Sequence, residues 1–224
     1  MIGIIKKFFT LLFILLLGCL LFWLINKKQP NFRPENPKDQ SWFSEQRWLT
    51  DAEIDWAVEQ IPLSDKFKTL PAYQFHYVKE AKREEAEADL AFPELLNTIN
   101  DQSKELIFIP VNNPDFHWSL LVYEVKTKIF YHYDTLRGAN WEYAQPLCEE
   151  LLKFLLVDWQ DASYHLQTQH DIKQGNSYDC GVAVISLIER ISGKYQENME
   201  NIDLGEFDFG KDRKDLRKTY FKKY

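Results

Sequence analysis

At 224 residues and 26.7 kDa, the chain has room for one compact domain with a full core and one appended segment. A formal net charge of −7 and a sequence pI near 5.3 exclude the broad basic face of a general nucleic-acid binder and point to a protein partner. The three cysteines, Cys19, Cys148 and Cys180, are too scattered for a disulfide framework or a CxxC metal set, so the globular part is expected to work in a reducing compartment.

Residues Phe8 to Ile25 carry no charge and are almost entirely apolar, between Lys6-Lys7 and Lys27-Lys28. As a helix the run reaches roughly 27 Å, near the thickness of a bilayer core. A cleaved signal peptide is the alternative, but no Ala-x-Ala site follows. Leu16-Leu17-Gly18-Cys19 has the outline of a lipoprotein site, yet the residues after it, Leu20 to Trp23, are apolar where a polar tether is needed. Residues 1–28 are therefore expected to be an uncleaved transmembrane anchor. The lysine balance and the absence of disulfides favour a cytosolic globular domain. Pro30, Pro34 and Pro37 mark 29–40 as an extended linker, and the folded domain is expected over 41–224.

Ile54, Ala57, Val58 and Ile61 fall at helical spacing and predict a helix over Ala52–Ile61, stopped by Pro62. The charged run Lys79–Asp89 reads as a solvated helix or loop, and Glu94–Asn100 as a short helix. Glu105–Val111 reads as a buried strand running into a turn. Trp118–Val125 and Ile129–Tyr133, joined by Lys126-Thr127-Lys128, form an expected hairpin. Tyr143–Val157 is a helix with Leu147, Leu151, Phe154 and Leu155 on one face, and Ser163–Gln167 a further strand. Gly175-Asn176-Ser177 signals a turn before Cys180. From Gly181 to Ile191 the apolar residues cover most of a helical cylinder, which predicts a core helix with Gly193 as its stop. The basic tail Lys211–Tyr224 reads as a solvated terminal helix, with contact to anionic lipid as the alternative.

Cysteine catalysis needs a thiolate, a base to take its proton and a group to hold that base in the useful tautomer. Cys180, at the expected start of a helix, has unpaired N–H groups and the helix dipole to favour an anion. Cys148, inside a leucine-rich helix, reads as an inert core thiol. His117 opens one arm of the hairpin and Asp134, 17 residues on, closes the other; opposite or diagonal positions lie about 5–8 Å apart, within reach of a hydrogen bond. His76, His132, His165 and His170 have no equally placed carboxylate and read as structural. Gln174, six residues before Cys180, is the candidate oxyanion donor.

The segments His117-Trp118-Ser119-Leu120-Leu121-Val122-Tyr123, His132-Tyr133-Asp134 and Gln174-Gly-Asn-Ser-Tyr-Asp-Cys180-Gly181 resemble the ubiquitin-like-protein-specific proteases, the adenain-like clan that includes SUMO and NEDD8 proteases. The resemblance implies an α+β, papain-like cysteine protease fold, with a central mixed sheet flanked by helices. It implies a thiol protease that needs no metal or cofactor and cleaves after the C-terminal Gly-Gly of NEDD8, SUMO or ubiquitin, with the conjugates as partners. In that family a Trp-Leu-Asn-Asp motif and the Trp after the catalytic His clamp the Gly-Gly tail; here the matching residues are Trp48, Asp51 and Trp118, with Thr50 in place of the Asn. Only glycine lets a backbone pass between close aromatic faces. The motifs are most similar to the NEDD8-directed branch, then SUMO. A membrane segment, a proline-containing linker and such a domain also resemble effectors that intracellular bacteria use to edit host ubiquitin-like signals. Two rival functions stand beside this one: an effector-type acetyltransferase with the same triad, and a tethered module that binds a ubiquitin-like protein without catalysis.

Overall fold

The computed structural model describes residues 46–72, 97–113, 116–155, 165–169, 171–196, 198–199 and 202–221, all within the compact unit Asn36–Tyr224. The anchor, the linker, the domain start at Ser41, the charged run Lys79–Asp89, His76 and His170 lie outside the described residues. No helix among the described residues is long and apolar enough to cross a membrane.

The elements run α1 (Asp51–Glu59), β1 (Phe67–Thr69), β2 (Leu106–Asn113), β3 (His117–Glu124), β4 (Ile129–Tyr133), α2 (Trp141–Phe154), β5 (Leu166–Gln169), α3 (Cys180–Lys194) and α4 (Phe209–Phe221). The five strands form one mixed sheet in the order β1-β2-β3-β4-β5, antiparallel in its centre and parallel at both edges. Period-two alternation divides the core between its faces. Leu106, Phe108, Trp118, Leu120, Val122, Tyr131 and Tyr133 pack with α1 and α3, whereas Ile107, Ile109, Leu121, Tyr123 and Phe130 pack with Leu147, Cys148, Leu151 and Leu152 of α2. A one-residue slip would exchange these two sets, so the register of the hairpin is strongly specified.

Four expectations change in contact with the fold. β2 runs on to Asn113 instead of turning after Val111, because β3 pairs every residue of it; β1 pairs only 106–108, and among the described residues no strand lies beside Pro110 on that side. The α1 helix starts at Asp51 and stops two residues before Ile61: Thr50 caps it and Glu53 reaches back to the Thr50 N–H, a capping box. Gly193 lies inside α3, which ends at Lys194 with Tyr195 as its C-cap. There the chain turns extended as the Tyr195 ring packs edge-on against Phe67 and its hydroxyl donates to Glu124. Finally, α4 is not a solvated helix. Phe209, Arg213 and Leu216, at i, i+4 and i+7, are buried.

Candidate active site

Three elements converge on one end of the sheet. β3 begins at His117, the chain leaving β4 carries Asp134, and α3 begins at Cys180. Extending the β3–β4 register one step past Leu120 and Tyr133 sets Asp134 opposite Ser119, diagonal to His117. The resulting pair is fully buried: His117 Nε2 donates to Asp134 Oδ1 at 2.7 Å. The carboxylate is held from behind, since Oδ1 also accepts the Leu136 N–H and Oδ2 accepts the Asn140 N–H, each at 2.8 Å.

Burial opposes charge on both groups, and their contacts overcome it. His117 loses hydration, which lowers its pKa, yet the Asp134 hydrogen bond, then the Cys180 hydrogen bond and the two charges, raise it to about 9. Burial raises Asp134, but the bonds from His117, Asn140 and Leu136 hold it down at about 2. With Nε2 on Asp134, the buried Nδ1 has no other partner and is the atom left to meet the Cys180 sulfur. The sulfur is close enough to perturb the imidazole, although the two do not form a fully aligned hydrogen bond; such bonds tighten when substrate arrives.

Cys180 is the first residue of α3, so its N–H and those of the next residues have no intrahelical acceptor. In the loop that precedes it, the Gln174 amide is fixed: Oε1 accepts from Thr135 Oγ1 at 2.5 Å, and Nε2 donates to the Asn176 carbonyl at 2.6 Å, leaving its second hydrogen. Cys148, by contrast, is sealed between α2, which carries it, and the sheet, where burial pushes its thiol pKa well up.

Both tryptophans are held by their indole N–H groups. Trp48 is 39% exposed and its indole N–H donates to the Ser177 carbonyl, whereas Trp118 is buried and donates to the Leu49 carbonyl at 3.0 Å. Asp51 is exposed at the first turn of α1, its carboxylate accepting from the Ala52 N–H. Thr50 replaces the family's Asn without loss of local order, because it supplies the α1 cap.

Gly181 allows the start of α3 to lie against this wall. A Cβ there would sit 3.0 Å from Leu49 Cβ and 3.3 Å from Ile54 Cδ1. In Gly181→Ala the helix gains about 0.8–1 kcal/mol of propensity and overpacking costs about 1–3 kcal/mol, so thermal melting should show a small net change. Turnover should fall about 10–100-fold as Leu49 carries Trp48 away. Unchanged turnover in a steady-state assay would show that this wall is not part of the site.

Sequence reasoning missed Asn140, Ser119, Asp179 and Arg213. Asn140 is fully buried and its Nδ2 spans the Val111 carbonyl and Ser119 Oγ, each at 2.9 Å, while Ser119 Oγ also bonds His132 Nε2 at 3.0 Å. Thus His132 bonds within a structural network, joined to Asp134 through Ser119 and Asn140. The Phe209, Arg213, Leu216 spacing was the one sequence signal for the buried face of α4.

Residues 63–223 match the family described as the Ulp1 protease family, C-terminal catalytic domain, a stretch that includes His117, Asp134, Gln174 and Cys180. The chain belongs to the Ulp1 protease family. It is 34% identical over 101 residues to NEDD8-specific protease 1 of Arabidopsis thaliana, covering 42% of this chain and 43% of that protein. The chain thus spans less than half the length of the curated relatives it matches. Among solved structures it resembles the SUMO protease Ulp1, with TM-score 0.58, 17% identity and 83% of each chain covered. It also resembles the Xanthomonas campestris effector XopD bound to ubiquitin, with TM-score 0.57, 20% identity and 84% and 97% covered. At these identities the likeness establishes the fold: a Ulp1-like α+β domain with a mixed central sheet. Trp48 and Asp51 precede the matched residues.

Proposed function

We propose that this chain is a thiol protease that hydrolyses the peptide or isopeptide bond after the C-terminal Gly-Gly of a ubiquitin-like modifier, with NEDD8 and SUMO preferred and ubiquitin as a further substrate. One observation carries the reading: a buried His117–Asp134 pair with a single free imidazole nitrogen, beside a cysteine that opens a helix. An imidazolium at His117 is the counter-ion for a Cys180 thiolate, which attacks the carbonyl of the terminal glycine. The Cys180 N–H and the remaining Gln174 hydrogen receive the oxyanion. His117 then protonates the leaving amine and, as base, draws a proton from the water that releases the acyl-enzyme. Trp48 and Trp118 line the path of the glycine tail, and Asp51 sits at its rim.

The NEDD8 preference is supported by the Arabidopsis relative, whose name specifies that modifier. In the same reading, residues 8–25 anchor the enzyme in a membrane with the catalytic domain in the cytosol, on the strength of their charge-free apolar run between lysine pairs.

The test is to react the full-length chain, in detergent micelles, with NEDD8, SUMO, ubiquitin and an ISG-type modifier, each bearing a C-terminal electrophile. A covalent adduct with NEDD8 or SUMO that disappears in Cys180→Ala is expected. Absence of an adduct with all four would end the protease reading, and modifier binding that survives unchanged would point to a tethered binding module.

A further inference from the structure

We propose that Arg213, on the C-terminal helix, is a positioning residue that holds together the two walls of the substrate tunnel; the inference rests on the protease reading. Arg213 is only 6% exposed, and among the described residues its guanidinium reaches at least three acceptors in two separate segments. Nε donates to Asp179 Oδ1 at 2.7 Å, and Nη2 donates to the Tyr178 carbonyl at 3.0 Å and to the Arg47 carbonyl at 3.1 Å. The guanidinium carbon also lies 5.6 Å from the centre of the Tyr178 ring.

Two of these acceptors belong to residues that directly precede a residue of the site. Asp179 directly precedes Cys180, is 1% exposed, and its carbonyl takes the first helical bond of α3, from Ala183 N–H at 2.8 Å. Its second carboxylate oxygen accepts from Asn176 Nδ2 at 2.7 Å, and Asn176 Oδ1 in turn accepts the Tyr178 and Asp179 N–H groups, so the whole Asn176–Asp179 loop is locked to this carboxylate. Arg47 precedes Trp48, whose indole crosses to Ser177 of the same loop. Arg213 and the Trp48 indole are therefore two ties between the same pair of segments.

Attachment of α4 does not need this charge. Phe209 and Leu216 are buried, and Asp212 pairs with Arg190. Burying an ion pair is a poor way to gain stability compared with an apolar residue of similar size. What a guanidinium fork does well is fix the relative position of several oxygens at once, which an ammonium cannot. The arrangement is that of a spacer for the tunnel, supplied from a helix that follows Cys180 by some 30 residues of chain.

The test uses the full-length chain in micelles, labelled with 5-fluorotryptophan, as Arg213→Met and Arg213→Lys, with the Trp48 resonance assigned by its loss in Trp48→Phe. In Arg213→Met the Trp48 fluorine signal should move or broaden while that of Trp141 stays fixed. Turnover of a modifier–peptide fusion, per Cys180 titrated with iodoacetamide, should fall about 30-fold or more, and Arg213→Lys should recover little of it, as a point charge reaches Asp179 but not both carbonyls. An unmoved Trp48 signal, or wild-type turnover per titrated cysteine, overturns the proposal. So does a collective shift of all tryptophan signals, which would mean that Arg213 holds the fold and not the walls. If the wild type cleaves no modifier, the protease reading has failed, and the Trp48 signal still decides whether Arg213 sets the spacing.

Discussion

Replacing His117 with alanine is expected to lower kcat/KM for a modifier–peptide fusion by about 10⁴–10⁶-fold while leaving a folded protein. The imidazole has two tasks that no neighbour can assume. Its Nδ1 is the one unpartnered ring atom facing Cys180, and its Nε2 is fixed by Asp134 so that the ring cannot rotate away. His132, the other described histidine in the buried network, bonds Ser119 and lies on the far side of Asn140, so it cannot substitute. The fold should survive, because Asp134 keeps its bonds from the Leu136 and Asn140 N–H groups when the imidazole is gone. Losing the charged hydrogen bond costs about 1.5–3 kcal/mol. Steady-state kinetics on protein verified as folded by thermal melting reads both halves, and turnover within tenfold of wild type would remove His117 from the mechanism.

Asp134→Asn is expected to lower kcat/KM about 10²–10⁴-fold and to move the alkaline limb of the pH–rate profile downward. The carboxylate accepts three N–H groups, from His117, Leu136 and Asn140. An amide has one oxygen; if that oxygen keeps His117 and Leu136, its NH₂ is pressed against the Asn140 N–H. The charge also matters, since after burial the Asp134 bond is the first cause acting on the imidazole, and it works to raise it to about 9. In the wild type the imidazolium is lost only as pH rises through about 9, so activity should persist across neutral pH and fall on the alkaline side. In Asp134→Asn that fall should shift toward the ordinary histidine value of about 6.5. A profile with the same alkaline limb in both proteins would contradict this electrostatic role.

The same pair links pH to stability, and the signs differ at its two ends. The folded pKa of His117 is raised, so its contribution is fully present below about 6.5 and is lost as pH rises through about 9. The folded pKa of Asp134 is depressed, so its contribution is present above the ordinary aspartate value and is lost as pH falls through about 2. These are two views of one interaction, which is therefore intact over the neutral range.

Features that depend on near neighbours are legible in the chain alone. A short turn between two apolar runs sets the β3–β4 hairpin, and the hairpin register is what turns a 17-residue spacing into a hydrogen bond between His117 and Asp134. Likewise a turn signal before an all-round apolar helix is enough to put Cys180 at a helix start. Tertiary structure decided the rest, because those features hinge on partners far along the chain. β1 is three residues with no readable period and exists by pairing with β2, some 40 positions later. Gly193 does not stop α3, since the ring and hydroxyl of Tyr195 are captured by Phe67 and Glu124. Arg213 looked like one more cation in a basic tail, and its burial follows from acceptors 34 and 166 positions earlier. A charge on a helix shows no periodicity of its own; whether it faces water or a carboxylate is settled only when the segments meet.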